Sequence, residues 1–139
     1  MTSSRQYDAI VIGSGQGGNP LAHDLADRDW QVALIERQHL GGSCINYGCT
    51  PTKTMIASAN VAHVARAAAK FGVNTGAVSV DLPAVIHRKN AIVRQMRRGQ
   101  QRKVDDRPGL DLYRGVGSFA APHSVLVDGS QELQAPRIF

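Results

Sequence analysis

Tyr7-Asp8-Ala9-Ile10-Val11-Ile12-Gly13-Ser14-Gly15-Gln16-Gly17-Gly18, followed at a distance by Gln31-Val32-Ala33-Leu34-Ile35-Glu36, is the stretch that decides the architecture. Tyr7 to Ile12 reads as an apolar run bounded by glycine, the pattern of a strand buried on both faces of a parallel sheet. Gly13 to Gly18 is a turn. From about Asn19 to Asp27, Leu21, Ala22, Leu25 and Ala26 recur at helical spacing, and Pro20 is tolerated because the first helical turn does not need its N–H. Gln31 to Glu36 is a second apolar strand. Residues 7–36 are therefore expected to form one βαβ unit, with a right-handed crossover.

Working outward, the remaining chain bounds the fold class. At 139 residues and a formal charge of +5, there is room for one domain, and 42% hydrophobic residues are enough for a packed core. The apolar runs Ala9 to Ile12 and Val32 to Ile35 are far shorter than the roughly 20 residues of a bilayer span, so no membrane partner is expected. Met1 to Asp8 has no apolar signal region, and a cytoplasmic address with reduced thiols follows by default. From Pro51 to Lys70, Ile56, Val61, Val64 and Ala68 recur at three- and four-residue spacing, predicting a long helix stopped at Gly72. Asp81 reads as an N-cap with Pro83 in the first turn, opening a second helix with Val85, Ile86, Val93 and Met96 on one face. The two helices are expected to pack antiparallel. Leu110 to Tyr113, Gly117 to Ala120 and Ser124 to Val127 read as short β segments with a turn at Asp128-Gly129, and Arg137-Ile138-Phe139 as the start of a further strand.

Gly13, Gly15 and Gly18 match G-x-G-x-x-G between a strand and a helix, the context in which that motif binds a dinucleotide. Gly13 permits the tight turn, Gly15 lets backbone approach a pyrophosphate, Gly18 allows close helix packing, and the helix N-terminus offers N–H donors to the anion. Glu36, ending the second strand 18 residues beyond Gly18, is placed to accept from both hydroxyls of an unphosphorylated ribose, as in FAD or NAD. The competing reading is a glycine turn used only for packing.

Gly41-Gly42-Ser43-Cys44-Ile45-Asn46-Tyr47-Gly48-Cys49-Thr50-Pro51-Thr52-Lys53 holds the only two cysteines. In a regular helix, Cα atoms five residues apart are roughly 8 to 9 Å apart. A disulfide needs about 4.4 to 6.8 Å. If Cys44 and Cys49 pair, the segment between them is a distorted turn that Gly48 permits, with the regular helix beginning near Cys49. A thiol at a helix N-terminus is favoured as thiolate, which makes Cys49 the candidate reactive sulfur. Two buried structural thiols are the bland alternative. A zinc site needs about four ligands, and His23, His39, His63, His87 and His123 are scattered, so no metal site and no catalytic histidine is assigned.

Gly13 to Gly18, Glu36 and the Gly41 to Lys53 stretch together resemble the class I pyridine nucleotide-disulfide oxidoreductases, a family that includes dihydrolipoamide dehydrogenase, glutathione reductase and mercuric reductase. The family form G-G-T-C-x-N-x-G-C-x-P-x-K is kept throughout, except that Ser43 stands where Thr is usual. The resemblance implies an α/β, Rossmann-like FAD-binding domain: a parallel sheet with its βαβ unit, an antiparallel helix pair and a short β-meander, incomplete at the C-terminus. It implies FAD at the Gly-rich loop (Gly13, Gly15, Gln16, Gly17, Gly18), with Glu36, Gly42, Ser43, Lys53 and Gly117 also at the cofactor. Ser43 and Gly42 would touch the pyrophosphate, Lys53 would sit near the flavin N5, and Gly117 belongs to a segment near the adenine. Cys49 would be the sulfur next to the flavin and Cys44 the interchange thiol that attacks substrate. Electrons would pass from NAD(P)H through FAD to the Cys44–Cys49 disulfide, and on to a small-molecule disulfide or metal-ion acceptor.

Tyr47, Thr50, Thr52 and Thr54-Met55 lean toward mercuric-reductase-like members, against which stands the lack of a metal-binding domain with its own cysteine pair. On this reading residues 1–139 are the N-terminal part of the FAD-binding domain, the NAD(P)-binding and dimerisation domains are outside the chain, and the piece is inactive alone. The full-length parent would be a homodimer. Eight of the sixteen Lys and Arg residues lie between Arg88 and Arg107, but no aromatic interleaves with them, so a solvated helix face is favoured over nucleic-acid binding. The rival functions are a non-enzymatic binding module using that basic helix and an NAD-binding Rossmann domain with incidental cysteines.

Overall fold

The computed structural model describes residues 5–139; the first half of the Met1 to Asp8 stretch lies outside the described residues. Strands β1 (Arg5–Gln6) and β2 (Ala9–Ile12) are followed by helix α1 (Gly18–Ala26) and strand β3 (Val32–Glu36). β2 and β3 pair in parallel, Ala9 against Val32 and Ile12 against Ile35. Strand β4 (Leu110–Arg114) adds in parallel to the far side of β3. On the near side, the Ile10 N–H donates to the Arg137 carbonyl and the Ile12 N–H to the Phe139 carbonyl, so residues 137–139 extend the sheet beyond β2.

Successive residues of a strand point to opposite faces, so a strand covered on both sides reads as an unbroken apolar run. On one face Ala9, Val11, Val32 and Leu34 pack against Ala22, Leu25 and Ala26 of α1. On the other, Ile10, Ala33, Ile35 and Tyr113 pack against Val125, Val127 and Leu133. Those last residues belong to a second sheet, in which β5 (Gly117–Ala121), β6 (Ser124–Val127) and β7 (Gln131–Gln134) form an antiparallel meander. β7 also pairs in parallel with β1, Arg5 opposite Leu133. The Tyr7 hydroxyl, 2.6 Å from both Asp111 Oδ2 and the Tyr113 hydroxyl, ties the approach to β2 to β4.

Leu110 to Tyr113, read from the sequence as a short β segment, is β4 and belongs to the parallel sheet. Its two buried side chains, Leu110 and Tyr113, face opposite layers, which only a strand covered on both sides can accommodate. The expected helix pair is present as α3 (Cys49–Ala67), prolonged by a 3₁₀ turn to Phe71, and α4 (Leu82–Asp105). Gly72 closes the first in the left-handed region, at φ +75°. Asp81 caps the second by accepting from the Ala84 N–H at 2.9 Å. The pair is antiparallel, since Thr50 bonds to Met96 while the Arg88 guanidinium donates to the Thr54 carbonyl.

None of the apolar residues predicted to line the first helix, Ile56, Val61, Val64 and Ala68, is buried. Val61 and Val64 are 71% and 64% exposed, and Thr54 is the single fully buried residue of α3. On α4, Val93 is buried, whereas Met96 is exposed. Periodicity identifies a face but not whether anything within the chain covers it. Among the described residues, no helix is long and apolar enough to cross a membrane.

Candidate functional site

A cavity of about 410 Å³ opens where β2 and β3 end and β5 begins. Gly13, Ser14 and Gly15 form one wall, Glu36 and Gln38 a second, Gly42 and Ser43 a third, and Gly117 closes it from the meander side. The volume falls within the few hundred to a thousand Å³ usual for small-molecule sites. Topologically this is the mouth at the carboxyl ends of parallel strands, where α/β sheets bind nucleotides.

The glycines differ in what they do. A Cβ on Gly18 would collide with the Gly13 carbonyl oxygen and press on Val11, so its absence lets α1 lie against β2. A Cβ on Gly15 would meet no protein atom within 4 Å and would project into open space at the cavity wall. Gly42, at φ +58°, would bring a Cβ to 2.6 Å from the Gly15 Cα, so the two glycine segments touch backbone to backbone. Their contact is reinforced by the Gly41 N–H donating to the Ser14 carbonyl at 3.0 Å and by Gln16 Nε2 donating to the Gly41 carbonyl at 3.3 Å.

Glu36 is 8% exposed, and both oxygens of its carboxylate accept hydrogen bonds from the protein. Oε2 accepts from the Ser14 N–H at 3.0 Å and the Ser14 hydroxyl at 2.5 Å, and Oε1 from the Gln38 N–H at 2.8 Å. Burial pushes its pKa up, but the Ser14 hydroxyl, the two N–H donors and the charge of Arg114 outweigh that and hold it below the ordinary carboxylate value of 4.5. A carboxylate offers about four lone-pair sites, so acceptor capacity toward a ribose remains. Because the pKa is lowered on folding, Glu36 stabilises the fold above the unfolded value near 4.5 and loses that contribution as pH falls from there through its lower folded value. A Glu36→Gln variant is therefore expected to show a flatter stability-versus-pH curve than the wild type as the pH is lowered from about 5, measured by urea unfolding at fixed pH steps.

Beyond Gly42 the chain forms a short helix, α2 (Gly42–Asn46), turns at Tyr47-Gly48, and enters α3 at Cys49. The distorted turn expected between the cysteines is thus confined to two residues, with Cys44 itself on α2. Gly48 sits with backbone angles of −116° and −104°, and a Cβ there would press on the Ser43 carbonyl at 3.2 Å. Both thiols are free, Cys44 half-buried and Cys49 exposed. They lie together. Hydrogen bonding to the Cys49 thiol pushes the Cys44 thiol up, helped by burial and by repulsion between the two sulfurs, while the Cys49 backbone N–H and the charge of Lys53 oppose the shift.

Of the predicted cofactor residues, Gly13, Gly15, Glu36, Gly42, Ser43 and Gly117 line one cavity. Gln16 and Gly17 are exposed beside it, Gly18 packs beneath it, and Lys53 stands by the thiols. Among the described residues no three His, Cys, Asp or Glu side chains cluster as metal ligands. Three residues not singled out from the sequence complete the site. Ser14 is the main partner of Glu36. Asn46 is buried, with Nδ2 donating to the Gly42, Leu40 and His39 carbonyls at 2.8, 3.1 and 3.4 Å. Arg97, placed by sequence on a solvated face, turns inward and donates from Nε to Asn46 Oδ1. Asn46 had a signal, as a polar residue between two cysteines in a glycine-rich turn; Arg97 had none.

The family model described as pyridine nucleotide-disulphide oxidoreductase matches residues 7–138. The chain belongs to this family. As an oxidoreductase-family chain it is 36% identical over 127 residues to a dihydrolipoyl dehydrogenase of Acholeplasma laidlawii, covering 91% of this chain and 38% of that protein. It is 35% identical to a mercuric reductase of Bacillus cereus, over 90% of this chain and 20% of the relative. Among solved structures, the HOCl-induced flavoprotein disulfide reductase RclA of Escherichia coli superposes with a TM-score of 0.76 at 36% identity, over 96% of this chain and 27% of RclA. A Cu(II) complex of the same protein gives 0.77. The chain thus spans well under half the length of these relatives. The family uses FAD and NAD(P)H, and the site fits the first: the open space off Gly15, the backbone-walled cavity and the Glu36 carboxylate at its far end suit a pyrophosphate and an adenosine ribose.

Proposed function

We propose that this chain holds the adenosine and pyrophosphate of FAD in the Gly13 to Gly18 cavity and presents Cys44 and Cys49 as the redox pair of an NAD(P)H-linked disulfide oxidoreductase. The observation that carries the reading is continuity: the backbone that walls the cavity at Gly42 and Ser43 runs directly into Cys44 on α2, and α3 begins at Cys49 after a two-residue turn. Gly15 and Gly42 admit the pyrophosphate, Ser43 adds a hydroxyl donor, Glu36 accepts from the ribose, and Gly117 borders the adenine side. Gln16, Gly17 and the start of α1 offer donors and a favourable dipole to the anion. FAD, when bound, supplies the two-electron link between NAD(P)H and the cysteines.

Cys44, as thiolate, attacks one sulfur of an acceptor disulfide and releases one thiol; Cys49 then displaces the second thiol and leaves a Cys44–Cys49 disulfide. The acceptor gains two electrons and two protons, which the cysteine pair gives up. The Cys49 thiol and burial raise the Cys44 pKa; the Cys49 N–H and Lys53 work against that rise, toward the thiolate this step requires. Lys53 is also assigned to the flavin side. For the acceptor we favour a small disulfide or a thiophilic metal ion, in the mercuric-reductase-like direction; the names of the relatives include a mercuric reductase and a Cu(II) complex. A cytoplasmic homodimer completes the proposal, with the exposed Val61, Val64 and Phe71 strip as apolar surface available for contact. Residues 5–139 would be the corresponding part of the FAD-binding domain.

The test is an absorption spectrum of the purified chain with added FAD, before and after dithionite, with gel filtration to remove free flavin. Retained, reducible flavin is the expected result. A compact chain that elutes without flavin at micromolar concentrations would overturn the cofactor assignment for this sequence.

A further inference from the structure

We propose that Arg97 is a positioning residue for both halves of the site, acting through Asn46. The inference rests on the cofactor and dithiol reading above. Asn46 ends α2, two residues after Cys44, and its amide N–H groups hold the carbonyls of Leu40 and Gly42. Gly42 lines the cavity, and Gly41 is bonded to Ser14 on the opposing wall. One side-chain amide therefore fixes the cavity wall and the helix bearing Cys44 together.

An amide can do this only in one orientation, with nitrogen toward the loop and oxygen away from it. The oxygen of Asn46 faces α4, where Arg97 Nε donates to it. A guanidinium has no acceptor, so it selects the oxygen and rejects the flipped amide. Arg97 is half-buried, unlike the exposed Arg94 and Arg98 on the same helix, and its bond spans 51 residues of sequence. Without it, a buried carbonyl loses its partner and the preference for the correct orientation weakens, so the Leu40 to Gly42 backbone and the Cys44 sulfur lose their common register.

Arg97→Met keeps the apolar stem and removes the donor, Arg97→Lys keeps a donor, and Arg98→Met removes an exposed neighbouring charge. Arg97→Ala stands in should the methionine variant fail to fold. Each is compared with wild type for FAD dissociation constant by fluorescence quenching, for the rate of Cys44 alkylation by iodoacetamide, and for melting temperature. The expected result is FAD binding weakened about tenfold, equivalent to about 1.4 kcal/mol, together with an altered Cys44 rate in Arg97→Met. Arg97→Lys should recover most of both, and Arg98→Met should match wild type. Wild-type FAD affinity and Cys44 rate in Arg97→Met, or equal changes in Arg98→Met, would overturn the proposal. Should the wild type itself bind no FAD, the cofactor reading fails separately, and the Cys44 rate alone decides the role of Arg97.

Discussion

Replacing Cys49 with serine removes the thiol–disulfide couple of this chain entirely. In the wild type, the Cys49 thiol raises the Cys44 pKa and only a two-residue turn separates α2 from α3, so oxidation is expected to join the two sulfurs within one molecule. A thiol count under denaturing, non-reducing conditions should then fall from two to none on treatment with excess oxidised glutathione, with no change in apparent mass. Cys49→Ser leaves one thiol, which is expected to end as a mixed disulfide carrying a glutathionyl adduct. Cys44→Ser gives the same stoichiometry, and comparing the two rates of adduct formation tests which sulfur meets substrate. The half-buried Cys44 has the Cys49 N–H and Lys53 beside it, and on the mechanism above it reacts first in the wild type. A wild-type chain that forms two independent glutathionyl adducts and no internal disulfide would refute the dithiol mechanism.

Gly18→Ala and Gly15→Ala should separate folding from binding. The new Cβ at residue 18 collides with backbone, the Gly13 carbonyl oxygen, and lies 3.1 Å from Val11 Cγ1. Backbone cannot swing aside as a side-chain tip can, so α1 must move off β2 and part the contacts of Ala22 and Leu25 with Val11 and Leu34. A loss of about 3 kcal/mol is expected, at the upper end of overpacking effects, read as a lowered urea midpoint. At residue 15 the Cβ meets no protein atom, so stability should stay within about 0.5 kcal/mol of wild type. FAD binding, however, should fall at least tenfold because the methyl group occupies the space the pyrophosphate needs. Equal stability for Gly18→Ala and wild type would show that the helix is not seated against the turn in the way described.

What could be read from the sequence follows from the range of the interactions concerned. β2, α1 and β3 were legible because local periodicity, a glycine turn and a terminal carboxylate all agree within 30 residues. Asp81 and Gly72 likewise announced helix ends through caps that act within one turn. The placement of β4 beside β3 was not legible, since an apolar segment of five residues does not say which sheet it joins. The outward turn of Val61 and Val64 was equally hidden: helical spacing is the same whether a face meets the core or solvent. That Gly13, Gly15 and Glu36 would come together at one cavity was readable from motif chemistry, and Gly42, named through the resemblance, lines the same cavity. The engagement of Glu36 by Ser14 was not, because it depends on the side-chain orientation that the Gly13 turn imposes. Arg97 was concealed by its company, one arginine among many on a basic helix, distinguished only by a partner 51 residues away.

The pairing of β2 with residues 137–139, and of β1 with β7, also has a consequence for the order of events during synthesis. The strand that opens the parallel sheet emerges early but finds its outer neighbour only after residues 137–139 are made. At about 5 to 20 residues per second, the Ile10 and Ile12 amides wait roughly 6 to 25 s on the ribosome without that partner. The nascent chain can close its β2 to β3 half early, but the flank that seals it arrives only with residues 137–139. Ribosome-stalled chains ending before Arg137 should therefore present an open β2 flank to chaperones, and those extended past Phe139 should not.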